Sequence, residues 1–317
     1  MSTAPSTASS TARPAVAQRR PARANSAQHR APWLLLAPFL VLFLLTFVVP
    51  IVYAVGQSFT SVQRLGLFGE DGITTGFAGF ENYARALGDP AFTASIARVL
   101  LFGVVQVPVM IVAVTVLALL LESASAKWPS FFRAAYFLPY GIPGVIASIL
   151  WSFLYLPGFS PVVAALQALG LEVDFLNAQT VLWSIANIVT WSYAGYNMLI
   201  VIAQLKAIPA EVYEAAKVDG AGPLRLAWSV QLPLIRPALV LTTVFSIIGT
   251  LQLFAEPQVI RNVSPAVDVK YTPNFAAYSS AFSYNDYGVA AAQAVVIALA
   301  AFVLSFAFLR LVSRRDS

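Results

Sequence analysis

Leu205-Lys206-Ala207-Ile208-Pro209-Ala210-Glu211-Val212-Tyr213-Glu214-Ala215-Ala216-Lys217-Val218-Asp219-Gly220-Ala221-Gly222-Pro223 is a polar island between two uncharged runs, Val181 to Gln204 and Ala238 to Ala255. Pro209 suits the first position of a helix, where a missing N–H costs nothing. Glu211 falls in the first turn, beside the positive end of the helix dipole. Gly220 suits the position just past the last turn, where positive φ is needed. The spacing predicts a short helix of about eleven residues, at ~1.5 Å rise each. On it Val212, Ala215 and Ala216 share a small, mildly apolar face that a partner backbone could approach closely, with Glu214 beside it as a charged handle. A second short helix is predicted from Pro223 to about Leu232, carrying Arg225 and Trp228 and ending because Pro233 restricts its predecessor. On pattern alone, a solvated hairpin that merely joins two longer helices fits these residues equally well.

The rest of the chain decides what those longer helices are. Of 317 residues, 59% are hydrophobic and only 10% charged, with mean hydropathy +0.76; soluble domains carry about 25% charged residues. Six long uncharged segments run roughly Trp33–Val55, Val99–Leu121, Ala134–Leu156, Val181–Gln204, Ala238–Ala255 and Val289–Leu309. Most approach the ~20 residues a helix needs to cross a bilayer, and lipid offers backbone groups no partners, which demands helices. The fifth is a little short and is expected to extend past Gln252 toward Glu256. Pro108, Pro139 and Pro143 lie inside or at the ends of spans and suggest kinked helices packed around something. The chain therefore reads as an all-α polytopic membrane protein with six transmembrane helices. Residues 1–31, rich in Ser, Thr, Ala, Pro and Arg, are expected to be a disordered tail. The membrane domain covers 32–312, with the loop 205–236 projecting from it, and 313–317 form a short C-terminal tail.

Lys and Arg orient the spans. With both termini on one side, that side collects fourteen of the nineteen basic residues: Arg13, Arg19, Arg20, Arg23, Arg30, Lys127, Arg133, Lys206, Lys217, Arg225, Arg236, Arg310, Arg314 and Arg315. The other side keeps Arg64, Arg85, Arg98, Arg261 and Lys270. Both termini and the 205–236 loop are thus expected in the cytoplasm. The basic residues serve topology rather than nucleic-acid binding.

Several chemistries have little to be built from. There is no Cys and a single His, His29, so no thiolate metal site and no His-based catalysis is expected. No Gly-Lys pair occurs, so the phosphate-cradling GxxxxGK[ST] loop is missing. The chain is read as no enzyme, with no catalytic residue, metal or cofactor of its own. Candidate solute contacts are uncharged polar, aromatic and acidic residues within spans: Asn187 with Trp191, i and i+4 on span four, and Gln252 with Glu256, placed the same way on span five. The competing reading is ordinary packing, since Asn and Gln often bond neighbouring helices and Trp often sits at the interface. A stand-alone secondary carrier or channel is disfavoured by the lack of charged residues deep in the spans, and a membrane enzyme by the lack of paired intramembrane carboxylates.

Glu214-Ala215-Ala216, Gly220, Val230 and Leu232-Pro233 at this spacing resemble the EAA loop of ABC-importer permease subunits, the inner-membrane components of binding-protein-dependent transport. Ile208-Pro209, Asp219-Gly220-Ala221 and Pro237 extend the match; Val230 stands where the family usually has Ile and Trp228 where it usually has Phe. Spans three to six are similar to the carbohydrate-uptake branch, in particular its first (maltose or glycerol-phosphate type) permease subunit. The similarity rests on Leu138-Pro139 with Pro143, Trp151, Pro157-Gly158, Trp191 with Gly195, Leu251-Gln252-Leu253-Phe254, Tyr278 with Ala281-Phe282, and Asp286-Tyr287-Gly288 with Ala290. After the fifth span, where that branch usually has Gly-Gly-Pro and Thr, this chain has Arg261-Asn262-Val263-Ser264-Pro265, which loosens the assignment of substrate. The resemblance implies the type I importer permease fold in the bacterial cytoplasmic membrane. It implies a second permease subunit forming a heterodimer, two cytoplasmic ATPases that bind Mg-ATP, and an external solute-binding protein delivering a sugar, polyol or oligosaccharide; another small solute class is the alternative. It also assigns coupling to the ATPase to Glu211, Glu214, Ala215, Ala216, Asp219 and Gly220.

Overall fold

The computed structural model describes residues 26–64, 73–123 and 125–313. It divides into two compact units, Met1–Val52 and Tyr53–Ser317. Residues 1–25, most of the expected disordered tail, and 314–317 lie outside the described residues; helix already begins at Ser26, inside the segment expected to be disordered.

In the first unit a helix, Ser26–Phe43, passes into a π turn at Leu44–Val48. The turn has a local cause. Pro50 has no N–H to offer, and the backbone widens so that the N–H of Val49 reaches the Leu44 carbonyl five residues back. The apolar stretch Leu35–Ser58 is long enough to span a bilayer.

In the second unit, four further stretches have the length and composition of spans: Pro90–Leu121, Val181–Lys206, Pro223–Ile260 and Tyr287–Val312. The span expected at Ala134–Leu156 is not one helix. Pro129–Phe137 runs into a 3₁₀ turn at Leu138–Gly141, and a new helix, Gly144–Tyr155, leaves at 102°. Pro139 and Pro143 bracket the bend; each removes a helical donor, and Ile142, before Pro143, leaves the helical course for an extended one. The described residues thus hold five continuous spans, and six when the bent pair counts as one.

Two other boundaries differ from expectation. The second span starts at Pro90, well before Val99, because Asp89 caps it: its carboxylate accepts the Ala91 N–H at 2.9 Å. The second loop helix does not stop at Leu232. Backbone stays helical through Pro223–Leu226, a π turn at Ala227–Gln231 and Leu232–Leu234, with the Leu232 N–H donated to the Ala227 carbonyl. The same widening that admits Pro50 admits Pro233. A continuous helix follows at Arg236–Leu251.

The connections are ordered. Thr60–Arg64 pairs antiparallel with Ile73–Phe77, and a helix, Glu81–Gly88, follows. Buried Asn82 donates to the Ser58 and Thr60 carbonyls at 3.0 and 2.8 Å. The polar segment after the fifth span is pinned from within: Ser264 donates to the Leu176 carbonyl at 2.5 Å and Thr272 to that of Leu253 at 2.9 Å. Lys270 pairs with Asp89 at 2.6 Å. Burial alone would raise the Asp89 carboxyl, but the Lys270 ammonium and the Ala91 N–H outweigh it and hold it below the ordinary aspartate range. Arg98 donates to the Tyr271 carbonyl at 2.6 Å and lies over the Tyr271 ring at 4.3 Å, which accounts for a cation at this edge of the second span.

Packing is densest between the second and fourth spans. One apolar cluster joins Phe102, Ile185, Ile188 and Tyr155 to Ile260 and Tyr271. A second joins Met110, Val114, Met198, Val201 and Leu205 to Ile208 and Ile235. Gly195 lets the fourth span approach the bent third one closely: a Cβ there would sit 1.9 Å from the Tyr136 carbonyl oxygen.

Candidate functional site

A half-open cavity of about 530 Å³ lies between the second span, the bend of the third, the fourth span, and the end of Arg236–Leu251. Its position follows from two helix breaks. The first is the bend at Pro139–Pro143. The second follows Leu251: Gln252 ends that helix, and a short helix, Ala255–Ile260, restarts after Phe254. Sequence reading had Gln252 and Glu256 on one continuous helical face; the break separates them. Both nevertheless line the cavity, Gln252 exposed at its open side and Glu256 only 7% exposed.

Three tyrosines form one aromatic wall. Tyr140, from the bend, stacks on Tyr196 at 4.7 Å and 14°, and meets Tyr193 edge-on at 6.0 Å. The close approach at Gly195 holds Tyr193 and Tyr196 against Tyr140. Two buried amides face the same cavity. Gln106 donates to Thr190 at 3.2 Å, and Asn197 to the Tyr193 carbonyl at 3.1 Å. Each keeps a carbonyl oxygen, Gln106 Oε1 and Asn197 Oδ1, with no partner among the described residues. Native interiors leave few such atoms unpaired. Stacked rings beside uncharged polar side chains, Gln252, Ser246 and Thr250, suit a hydroxylated solute.

Asn187 and Trp191 share a face of the fourth span, as the i, i+4 spacing requires, but neither lines this cavity. Asn187 donates to the Tyr155 hydroxyl at 2.9 Å, and Trp191 meets Trp151 edge-on at 5.8 Å. Sequence reading did not single out Tyr140, Tyr193, Tyr196, Gln106 or Asn197. Gln106 and Asn197 carried the signal of an uncharged polar residue inside an apolar span. For Tyr140 the signal was its place between Pro139 and Pro143.

The short helix of the 205–236 loop forms over Ala210–Val218, nine residues rather than eleven, with Pro209 as its cap residue rather than its first turn. Gly220 has φ +74°, and the Ala221 N–H returns to the Ala216 carbonyl at 2.9 Å, closing the helix as its sequence position requires. The predicted common face is split. Val212 and Tyr213 turn inward onto the cluster of Leu205, Ile208 and Ile235, the Tyr213 hydroxyl donates to the Leu205 carbonyl at 3.3 Å, and Ala216 is buried. Ala215 turns outward. The free stripe is Glu211, Glu214, Ala215 and Val218, the last 88% exposed; Asp219 and Gly220 are exposed beside it. The 100° step per residue puts 212 and 216 opposite this stripe.

A bundle of apolar helices that keeps a half-open cavity lined by tyrosines and uncharged polar side chains among its spans has the architecture of a multi-pass membrane transport permease. Residues 114–316 match one family of that class, and the chain belongs to it: the binding-protein-dependent transport system inner membrane component family. It is 30% identical over 290 residues to the sulfoquinovosyl glycerol transport system permease protein SmoG of Agrobacterium fabrum, covering 89% of this chain and 90% of that one. It is 30% identical over 281 residues to the lactose transport system permease protein LacF of Rhizobium radiobacter, covering 86% and 91%. The fold is similar, with TM-score 0.76 at 20% identity, to a chain in the crystal structure of a bacterial ABC transporter involved in import of the acidic polysaccharide alginate; the match covers 91% of this chain and 98% of that one.

Proposed function

We propose that this chain forms half of the translocation pathway of an ATP-driven importer for a sugar or related polyol or oligosaccharide. The observation that carries the reading is the cavity's pairing of a stacked tyrosine wall with uncharged polar side chains, the exposed Gln252 among them, since sugars need an apolar face against the ring and partners for their hydroxyls. The names of the relatives support the same solute class.

In this reading a second permease subunit covers the open side of the cavity, where Tyr140, Tyr193, Phe245 and Gln252 are exposed. A solute-binding protein delivers the sugar from the side opposite the Ala210–Val218 helix. Separate ATPases bind Mg-ATP and grip that helix by Glu211, Glu214, Ala215 and Val218, with Asp219 and Gly220 shaping its end. Movement passes inward through Val212 and Tyr213 to the base of the second and fourth spans. Asn187 and Trp191 lie on the fourth span outside this cavity, and a second stage of the pathway along that face is their part in the proposal. Both termini sit on the ATPase side, in agreement with the distribution of Lys and Arg.

The test is uptake of radiolabelled neutral sugars into vesicles holding the complete assembly. Accumulation is expected only with ATP and the binding protein together. Equal accumulation without ATP would assign the chain to a stand-alone carrier.

A further inference from the structure

The helix Glu81–Gly88, between the strand pair and the second span, has three distinct sides. One side, Asn82 and Ala86, is buried against the fold, where Asn82 holds the Ser58 and Thr60 carbonyls and the last span packs alongside. A second side is polar: Glu81 and Arg85 are exposed, and Arg85 pairs with Asp286 at 2.5 Å. The third side is apolar. Phe80, Tyr83, Ala84 and Leu87 recur at the i, i+3, i+4, i+7 spacing of one helical stripe. All but Tyr83 are exposed, Phe80 at 75%. The stripe continues past the helix. Phe59 stacks on Phe77 at 6.5 Å and meets Phe80 and Tyr83 at 5.4 Å each, and Phe77 is 84% exposed. A contiguous apolar surface with a polar rim marks a contact with protein or membrane.

The level of this surface in the fold decides between them. Pro90 opens the second span two residues after Gly88, and Tyr287 opens the last span directly after Asp286, the partner of Arg85. Ser58, which closes the first apolar stretch, is hydrogen-bonded to the Tyr83 hydroxyl at 2.7 Å. The helix is thus tied at both ends to the level where spans leave the bilayer. A partner arriving from water meets the Glu81 and Arg85 side, while the apolar stripe lies against the hydrocarbon boundary. A helix with a polar side and an apolar side at that level lies in the plane of the interface. We propose that the stripe of Phe80, Tyr83, Ala84 and Leu87, with Phe59 and Phe77, docks on lipid and is seated in the boundary between headgroups and acyl chains. The connection before the second span is therefore a membrane contact in its own right, in addition to the spans.

The test is spin-label depth measurement on the complete assembly in phosphatidylcholine–phosphatidylglycerol vesicles, with cysteine-free partner subunits. The chain has no Cys, so Ala84→Cys, Leu87→Cys and Glu81→Cys each carry one nitroxide. All three side chains are exposed, so folding should stay close to wild type. Collision with oxygen, which concentrates in lipid, is compared with collision with a water-soluble nickel chelate. Nitroxides at 84 and 87 should lie about 5–10 Å inside the phosphate level, and the one at 81 should face water. Equal values at all three positions overturn the inference, since the stripe would then share the surroundings of the polar side. Low collision with both reagents at 84 and 87 also overturns it, because protein, in the form of the second permease subunit, would then cover the stripe.

Discussion

Replacing Gly195 with alanine is expected to cost about 3 kcal/mol or more of stability and to lower the thermal midpoint of the purified protein sharply. The added carbon would lie 1.9 Å from the Tyr136 oxygen, 2.4 Å from its carbonyl carbon and 2.8 Å from the Phe137 Cα, all backbone. No rotamer change relieves such a contact, so the fourth span must move away from the bent third one. The movement would part Tyr196 and Tyr193 from Tyr140 and open the aromatic wall, so solute binding should suffer even in protein that still inserts. Gly88→Ala is the comparison: nothing lies within 4 Å of its added carbon, and its midpoint should stay close to wild type. A Gly195→Ala protein with an unchanged midpoint would show that the two helices are not held at this distance.

The second large effect is expected at Glu214. Glu214→Lys reverses a charge on the exposed stripe of the Ala210–Val218 helix without touching the inward side formed by Val212, Tyr213 and Ala216. Insertion and thermal stability should stay close to wild type, while ATP-dependent uptake falls by at least about tenfold, as expected when a charge in an interface is reversed. Uptake at the wild-type rate in reconstituted vesicles would remove Glu214 from the coupling role.

How much of this was legible in the sequence depends on what hydropathy and spacing report. Length and apolarity placed the spans, because bilayer thickness sets both. They did not report direction. Ala134–Leu156 has the same mean apolarity straight or bent, and the 102° turn was visible only as Pro139 and Pro143 four residues apart. Proline misled in the other direction at Pro233, where one widened turn absorbed the missing donor. The helix at Ala210–Val218 was legible because cap, dipole and Gly220 agreed. Which of its faces is free was not: Ala215 and Ala216 are chemically identical, and only the surrounding fold, which buries Ala216 and exposes Ala215, decides which is covered. The cavity residues were the least legible. A glutamine or asparagine in a span reads the same whether all its polar atoms are paired or one is left free, and the difference at Gln106 and Asn197 is made by helices distant in sequence.

The central claim is that a separate motor works this pathway through the outward stripe of the Ala210–Val218 helix. The chain has no Cys, so Ala215→Cys gives a single thiol on that stripe. Its labelling by a membrane-impermeant maleimide should be measured in sealed vesicles, with the ATPase subunits present and after their removal. The account predicts labelling only from the face that binds the ATPase, and strong protection while the ATPase is attached. Labelling from the opposite face, or at the same rate with and without the ATPase, would contradict it.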